Sequence, residues 1–127
     1  MTKKKISCDT APSAIGTYSQ AVEAGKYIYV SGQIPLNYID MSIAGETFEE
    51  QAVLVFNNLK NIAVTSGCDL DHCVKLTVYL KDLENFSTVN TIMEKYFNEP
   101  YPARAAVEVS RLPKDVSIEI DAILYKE

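Results

Sequence analysis

Two charged side chains in the C-terminal third of the chain have the chemistry to bind a carboxylate and to hold a water molecule. Arg104 follows Pro102 at the start of an otherwise apolar segment, and its planar guanidinium matches a carboxylate with two parallel hydrogen bonds. Glu119 shares a strand face with Asp121, and a carboxylate at a cleft can position water. A surface ion pair for Arg104 and a solvated strand face for Glu119 are the simpler alternatives, and spacing alone leaves both open.

Tyr18 is a third candidate, in the loop formed by residues 16–20. Its ring either anchors the loop on the core or stacks on a substrate. The single histidine, His72, is expected to be a polar loop residue before a strand. One histidine and three scattered cysteines predict neither a nucleophilic triad nor a zinc site. The common nucleotide and metal motifs are also absent, so the sequence predicts chemistry without a metal or a bound cofactor.

The composition is that of one ordinary domain spanning residues 1–127. The chain is 47% hydrophobic, and its length of 127 residues suffices for one core. A formal net charge of −5 removes the usual driving force for nucleic-acid binding. No run approaches the roughly 18–20 apolar residues of a membrane span, and the lysines at 3–5 precede no apolar signal segment. Cys8, Cys68 and Cys73 form an odd, scattered set, which indicates reduced thiols in a cytoplasmic protein.

The apolar pattern predicts six strands and two helices in the order β-β-β-α-β-α-β-β. The clearest helix begins at a capping box over residues 47–50 and ends at Gly67. A second helix runs from a cap at Asn85 or Ser87 to Phe97. The predicted strands are residues 6–8, 21–24, 26–32, 74–80, 105–110 and 116–125.

Two helices cover only one face of a sheet this wide, which predicts an α+β fold with an open sheet face. On the fourth strand, Val74, Leu76, Val78 and Leu80 are expected to share one face. Other apolar residues are expected to be mixed between both faces; they are Tyr27, Tyr29, Ile118, Ile120, Ala122 and Leu124. An open face of this kind favours an oligomer packed through the sheet.

Four short motifs, spread over about residues 12 to 124, carry a resemblance to a known family. They are Gly16-Thr17-Tyr18-Ser19-Gln20-Ala21, Ser31-Gly32-Gln33-Ile34-Pro35, Asp82-Leu83 with Phe86-x-x-Val89-Asn90, and Pro102-Ala103-Arg104 running into Arg111-Leu112-Pro113-Lys114-Asp115-Val116 and Ile118-Glu119-Ile120. In this order and spacing the chain resembles the RidA proteins, also called the YjgF family of enamine and imine deaminases. The last motif is the most specific of the four.

The resemblance implies a chorismate-mutase-like fold and a homotrimer with a cleft between each pair of subunits. It also implies a cofactor-free hydrolysis of reactive enamines and imines, such as 2-aminoacrylate and 2-aminocrotonate. In that family, pyridoxal-phosphate-dependent dehydratases release these intermediates, and the products are a 2-keto acid and ammonia.

Carried over to this sequence, the resemblance assigns a role to each motif residue. Arg104 grips the substrate carboxylate, Glu119 holds the attacking water, and Tyr18 lines the cleft. The backbone at Ala106 assists. Two further residues line or support the site: Gly32 and Asn90.

The sequence departs from the family pattern around the implied cleft. Ala106 stands where many members have cysteine, so only main-chain groups can act there. Thr17 replaces the usual proline before Tyr18, the loop of residues 37–42 lacks the common Thr-Gly turn, and residues 97–101 form a shortened approach to the last motif. These departures bear on substrate preference.

Two readings from other functional classes remain open. The first is a non-catalytic trimer that binds or senses small keto acids, or acts like a chaperone. The second is a ribonuclease, against which the net charge of −5 and the single histidine both argue.

Overall fold

The computed structural model describes residues 2–127, and its elements follow the predicted order. The strands are β1 (Lys3–Ile6), β2 (Ala21–Ala24), β3 (Tyr27–Gln33), β4 (Cys73–Leu80), β5 (Ala103–Glu108) and β6 (Ile118–Tyr125), and the helices are α1 (Phe48–Thr65) and α2 (Phe86–Tyr96). Neighbouring strands lie in the order β1-β2-β3-β6-β4-β5. Only β4 and β5 are parallel, so the sheet is mixed and β5 forms one of its edges.

Helix α1 begins and ends where its sequence predicts. The Thr47 hydroxyl accepts a hydrogen bond from the Glu50 N–H at 3.1 Å, although the Glu50 carboxylate bonds to that hydroxyl rather than to the Thr47 backbone. Gly67, at a φ of 83°, takes the left-handed conformation that ends the helix. The predicted apolar stripe is buried; it comprises Ala52, Val55, Phe56, Leu59, Ile62 and Ala63.

Helix α2 has the predicted buried side but a different start. Asn85 occupies the cap position without a side-chain hydrogen bond. A 3₁₀ turn of residues 83–85 precedes the helix, and the Asp82 carboxylate caps that turn by accepting from the Glu84 N–H at 2.9 Å. The buried residues of α2 and its C-terminal end are Val89, Ile92, Met93 and Phe97.

Several predicted strand ends are wrong, and hydrogen bonds made outside the sheet explain two of them. The first strand stops at Ile6 because the Cys8 N–H donates to the Gln20 side chain at 2.7 Å instead of to a strand. The last strand starts at residue 118 because residues 113–115 form a 3₁₀ turn, which the Val116 N–H closes. The fifth strand is shifted to residues 103–108, where it aligns with β4.

The first residues of β4 also differ from expectation. A register shift lies between Cys73 and Lys75, so Cys73 is buried and Val74 is exposed, contrary to the predicted alternation. Just before the strand, His72 ends a 3₁₀ turn rather than a loop, and its Nδ1 lies 3.1 Å from Asp69.

Apolar residues lie on both faces of the sheet, as the sequence predicted. Ile118, Ile120, Ala122 and Leu124 are all buried under the helices, whereas Tyr27 and Tyr29 are exposed on the opposite face. The open face carries three tyrosines whose rings contact one another: Tyr27, Tyr29 and Tyr125, with ring centroids 5.3 and 6.4 Å apart. The prediction of an oligomer packed through this face stays a prediction.

The three cysteines are free thiols, as the sequence predicted. Burial raises the pKa of Cys73 to about 11, which keeps this thiol protonated at neutral pH. In residues 2–127 no group of three or more His, Cys, Asp or Glu side chains is arranged to hold a metal ion. Neither helix in that range has the length and apolar character to cross a membrane.

Candidate functional site

Glu119 lies on the open face of the sheet, at the wall of a cavity of about 460 Å³. The side chains of β6 alternate, so Ile118 and Ile120 point under the helices and Glu119 points away from them. Tyr18 and Gly32 line the same cavity, so the structure brings together three of the predicted site residues. Most of the remaining wall is apolar; it includes Pro12, Ile15, Ile34, Leu36, Met41 and Pro113.

A β-bulge in β3 places Gly32 beside Glu119. Val30 pairs with Ala122 and Gln33 with Ile120, so two residues of β3 oppose one residue of β6. The extra residue reverses the alternation, and Gly32 therefore reaches the open face. A Cβ atom at Gly32 would lie 2.9 Å from the Glu119 Cδ and nearer still to its Oε2, so the carboxylate occupies space that only glycine leaves free.

Hydrogen bonds from the bulge hold the Tyr18 loop against β3. The Ser31 hydroxyl donates to the Ser19 carbonyl at 2.6 Å, and the Ser31 N–H donates to the Gln20 carbonyl at 3.0 Å. Tyr18 itself is exposed, and its Oη accepts a hydrogen bond from the Ile15 N–H at 3.2 Å. The ring is thus positioned by its loop beside the cavity, rather than buried as a core anchor.

The environment of Glu119 favours its neutral form. Its side chain is half-buried, and this burial, followed by the nearby charge of Asp121, raises the pKa of Glu119 above its usual range. The cation lining the cavity is Lys114. Lys114 and Asp115 both adopt left-handed backbone conformations, at φ values of 56° and 55°, and Arg111 holds the turn through Asp115 at 2.8 and 3.3 Å.

Arg104 lies on the other face of the sheet, against α2. Its Nη1 donates to the Asn90 Oδ1 and lies 3.4 Å from the Met93 Sδ. Its guanidinium carbon is 4.6 Å from the centroid of the Phe86 ring, within the range of a cation–π interaction. No carboxylate in the described residues forms an ion pair with Arg104, so some of its guanidinium N–H donors are available to an external anion.

The backbone of Ala106 faces the free edge of the sheet. The N–H of Val109 donates to Leu80 of β4 at 2.9 Å. Because backbone groups alternate in direction along a strand, the N–H and C=O of Ala106 point away from β4. Arg104 and Ala106 share the side-chain face of β5 that packs towards the helices, so a ligand held by the guanidinium at this edge is within reach of main-chain groups.

One chain does not bring Arg104 and Glu119 together. Arg104 pairs with Leu76, which is buried under the helices, whereas Glu119 pairs with Tyr79 on the open face. Strand β4 lies between β5 and β6, which separates the two backbones by about 10 Å. Arg104, Asn90 and Ala106 therefore form one half-site, and Glu119, Gly32 and Tyr18 form another.

Some residues around the half-sites were missed as site residues. Lys114 belongs to one of the four motifs, but its place in the cavity depends on the left-handed turn. Phe86 also belongs to a motif, and its contact with Arg104 depends on how α2 crosses β5. Met41 carries no sequence signal, because it reaches the cavity from an irregular loop.

The family model described as Endoribonuclease L-PSP matches residues 8–126. The chain belongs to this family. Among its relatives, a RutC family protein of Pyrococcus abyssi is 49% identical over 127 residues, covering 100% of both chains. A protein of Escherichia coli K12 named "Putative reactive intermediate deaminase TdcF" is 41% identical over 127 residues, covering 98% of both.

Solved structures of the family have the same fold. RidA from an Antarctic Psychrobacter is 45% identical and superposes with a TM-score of 0.93, covering 96% of this chain and 98% of that one. The crystal structure of Escherichia coli TdcF with bound serine is 37% identical and superposes with a TM-score of 0.91, covering 98% and 99%. The resemblance drawn from the four motifs and the predicted two-helix, mixed-sheet architecture are both confirmed.

Proposed function

We propose that this protein hydrolyses small enamine and imine acids, 2-aminoacrylate and 2-aminocrotonate among them, to 2-keto acids and ammonia. The observation that carries the proposal is a complementary pair of half-sites. One holds the cation Arg104, which has no acidic partner among residues 2–127, and the other holds a half-buried carboxylate, Glu119. These groups suit a substrate that has a carboxylate at one end and an electrophilic carbon beside it.

The chemistry needs only water and these side chains. The enamine CH₂=C(NH₂)–COO⁻ tautomerises to the imine CH₃–C(=NH)–COO⁻, whose carbon is electrophilic. Arg104 orients the carboxylate, and Glu119 holds the water and accepts a proton from it as the water oxygen bonds to that carbon. The imine nitrogen takes a proton in the same addition, which gives the carbinolamine CH₃–C(OH)(NH₂)–COO⁻. The amine nitrogen then takes a second proton and the hydroxyl loses one, so C=O forms as the C–N bond breaks and ammonia leaves a 2-keto acid.

The active form in this proposal is a homotrimer with the site between subunits. Since Arg104 and Glu119 lie on opposite faces of one sheet, a second copy must supply one of them. The exposed tyrosines of the open face and the unpaired edge of β5 provide surfaces for such packing. A cleft between the copies takes a small amino-acid-like ligand in this proposal, as TdcF takes serine.

The other predicted residues support the two charges. Asn90 holds the guanidinium of Arg104, and Gly32 leaves room for the carboxylate of Glu119. Tyr18 covers the substrate from its loop, while the free N–H of Ala106 binds a substrate oxygen at the sheet edge.

The decisive assay measures 2-keto acid release from freshly generated 2-aminoacrylate. A serine dehydratase supplies the intermediate, and the wild-type protein is compared with Arg104→Ala. Lys60→Ala is the matched control because it removes an exposed cation from the outer side of α1. Faster release with wild type and Lys60→Ala, but not with Arg104→Ala, supports the enzyme. No acceleration by wild type contradicts it.

Glu119→Gln separates the enzyme from a keto-acid-binding protein of the same fold. The substitution leaves the Arg104 clamp intact, so 2-ketobutyrate binding by calorimetry is expected to persist while turnover is lost. Equal binding together with an absence of wild-type turnover favours the binding protein.

RNA cleavage, which the family model's description suggests, is tested on the same preparations. The net charge of −5 argues against it, and cleavage that survives in Glu119→Gln and Arg104→Ala belongs to another site or a contaminant.

A further inference from the structure

Asp121 and Tyr79 lie next to Glu119 and have no place in the mechanism given above. Asp121 is two residues from Glu119 on the open face of β6, about 7 Å away along the strand. Tyr79 is the direct partner of Glu119 on β4. Its Oη donates to the Asp121 Oδ2 at 3.1 Å. The side chain of Tyr79 therefore starts beside Glu119 and ends at the carboxylate of Asp121.

We propose that Asp121, held by Tyr79, is a positioning residue that sets the protonation of Glu119 for acid–base catalysis. The inference rests on the proposed function, because it concerns how the same carboxylate works. The negative charge of Asp121 lies on the same half-buried face and disfavours a second negative charge on Glu119. The hydrogen bond from Tyr79 holds the Asp121 carboxylate in place, so Glu119 takes a proton more readily than an isolated glutamate.

The surroundings of Glu119 agree with this assignment. Within one chain, the titratable groups that face it are Asp121 on its own strand, Tyr79 on β4, Tyr18 on the loop and Lys114 on the turn; in the proposed inter-subunit site, Arg104 of a second copy also faces it. Burial and the charge of Asp121 raise the pKa of Glu119. Burial, the hydrogen bond to Asp121 and the charges of both carboxylates raise the pKa of Tyr79, so the phenol remains a donor at neutral pH.

The proposed reaction needs both forms of Glu119. The carboxylate accepts a proton when water attacks the imine carbon, and the carboxylic acid can return that proton to the nitrogen that leaves as ammonia. A group serves both steps best when its pKa lies near the working pH. A neighbouring negative charge moves the pKa of a glutamate in that direction.

The test is a pH titration of the Glu119 side-chain carboxyl carbon by ¹³C NMR, in which Glu119→Gln identifies the signal. In Asp121→Asn we expect the midpoint to fall by about 0.5 pH unit or more, and in Tyr79→Phe by a smaller amount. Asp71→Asn is the matched control: it removes one exposed charge near the far end of β4, about 20 Å along the strand, and should leave the midpoint unchanged.

The same variants are then assayed for 2-keto acid release across pH. The acidic limb of the rate profile should move to lower pH by the same amount as the NMR midpoint. An unchanged midpoint in both Asp121→Asn and Tyr79→Phe overturns the proposal. A shifted midpoint with an unchanged rate profile overturns its catalytic part. If the wild type has no activity, the proposed function fails, and the titration still decides whether Asp121 controls Glu119. Tyr79→Phe retains both acids, so it supplies the answer if Asp121→Asn does not fold.

Discussion

The carboxylate of Glu119 lies over the α-carbon of Gly32, in the space that a side chain at residue 32 would fill. The two residues belong to neighbouring strands, and only the bulge between Val30 and Gln33 brings them to the same face. The glycine is required by this close approach and not by its backbone angles, because its φ is outside the left-handed region. The Glu119 carboxylate can therefore take this position only because residue 32 has no side chain.

Gly32→Ala should reduce turnover by about 100-fold, which is the scale expected when a reacting group is displaced by about 1 Å. The fold should survive, because the new methyl meets the flexible end of Glu119 rather than backbone. We expect a change in melting temperature of less than about 5 °C. Keto acid release and a circular-dichroism melt measure the two quantities.

The control for this prediction is a double-mutant cycle. If the methyl acts through Glu119, adding Gly32→Ala to Glu119→Gln should cost little further activity. Two losses that multiply in the double variant would show that Gly32 acts independently of the carboxylate, contrary to the prediction.

The elements of the fold were readable from the sequence because each follows from a local rule. Residues 47–50 and Gly67 mark the ends of α1 through hydrogen bonding and left-handed geometry, and β6 alternates strictly. The errors arose where a distant side chain competes for the backbone. The Gln20 amide ends β1 at a position twelve residues away, and the register shift at Cys73 exposes Val74. Neither event has a local signal.

Arg104→Lys should lower kcat/KM by roughly 10- to 100-fold, because lysine keeps the charge and loses the two-pronged hydrogen bond. Most of the loss should be in KM, since the interaction with the carboxylate exists before the reaction begins. Asn90→Ala, which frees the guanidinium from its amide partner, should give a smaller loss of about 5-fold. Steady-state kinetics with 2-aminoacrylate measures both.

Arg111→Lys is the matched control for the arginine variants. Arg111 is exposed and pairs with Asp115 in the turn, and lysine preserves that charge. An unchanged kcat/KM in Arg104→Lys, or a loss in Arg111→Lys of the same size, would refute the carboxylate clamp.

The types of the site residues could be inferred from the sequence motifs, but their arrangement could not. Arg104 and Glu119 stand on strands that are separated in the chain by a turn and in space by β4. The pairing register puts them on opposite faces, and the strand order puts β4 between them. The apolar pattern of a single strand contains no information on its neighbours. The motif contains Lys114 but does not predict that Lys114 lines the cavity, because its position there depends on two consecutive residues in the left-handed conformation.

Glu119→Gln should stabilise the fold at neutral pH while it removes turnover. The pKa of Glu119 is raised in the folded chain, so the folded state binds this proton more tightly than the unfolded state. Stability is therefore highest at low pH with respect to this group, and falls as pH rises from the unfolded pKa of about 4.5 through the raised folded value. Glutamine has no proton to lose, so the variant does not lose this stability as pH rises. The free energy of unfolding at pH 7 should increase by about 0.5–1 kcal/mol, a small value because solvent still reaches the side chain.

Urea denaturation of wild type and Glu119→Gln at pH 4 and pH 7 checks this prediction. The difference between the two proteins should be larger at pH 7 than at pH 4. Glu23→Gln is a control on the far strands, where the carboxylate pairs with Lys126. If Glu119→Gln destabilises the chain more at pH 7 than at pH 4, the glutamate forms a favourable interaction as an anion, and the assigned cause of its raised pKa is wrong.

Two inactive variants should restore each other's activity when they are assembled together. Arg104→Ala retains the Glu119 half-site, and Glu119→Gln retains the Arg104 half-site. In a cyclic oligomer formed at random from equal amounts, one site in four combines an intact Arg104 from one subunit with an intact Glu119 from the next. Co-refolded mixtures should therefore recover about a quarter of the wild-type rate of keto acid release, since each interface in such a ring is equivalent.

The same mixture distinguishes the inter-subunit site from a site within one chain. The double variant Arg104→Ala/Glu119→Gln, co-refolded with an equal amount of wild type, is the control. If the site lies between subunits, one site in four is intact in this mixture. If the site lies within one chain, one site in two is intact. Light scattering on each preparation reports the size of the assembly at micromolar concentration. A monomer, or a mixture of the two single variants that stays inactive while the trimer forms, would refute the arrangement. Arg104 and Glu119 would then have to meet within one chain by a rearrangement of β5, although β4 separates them in the folded sheet.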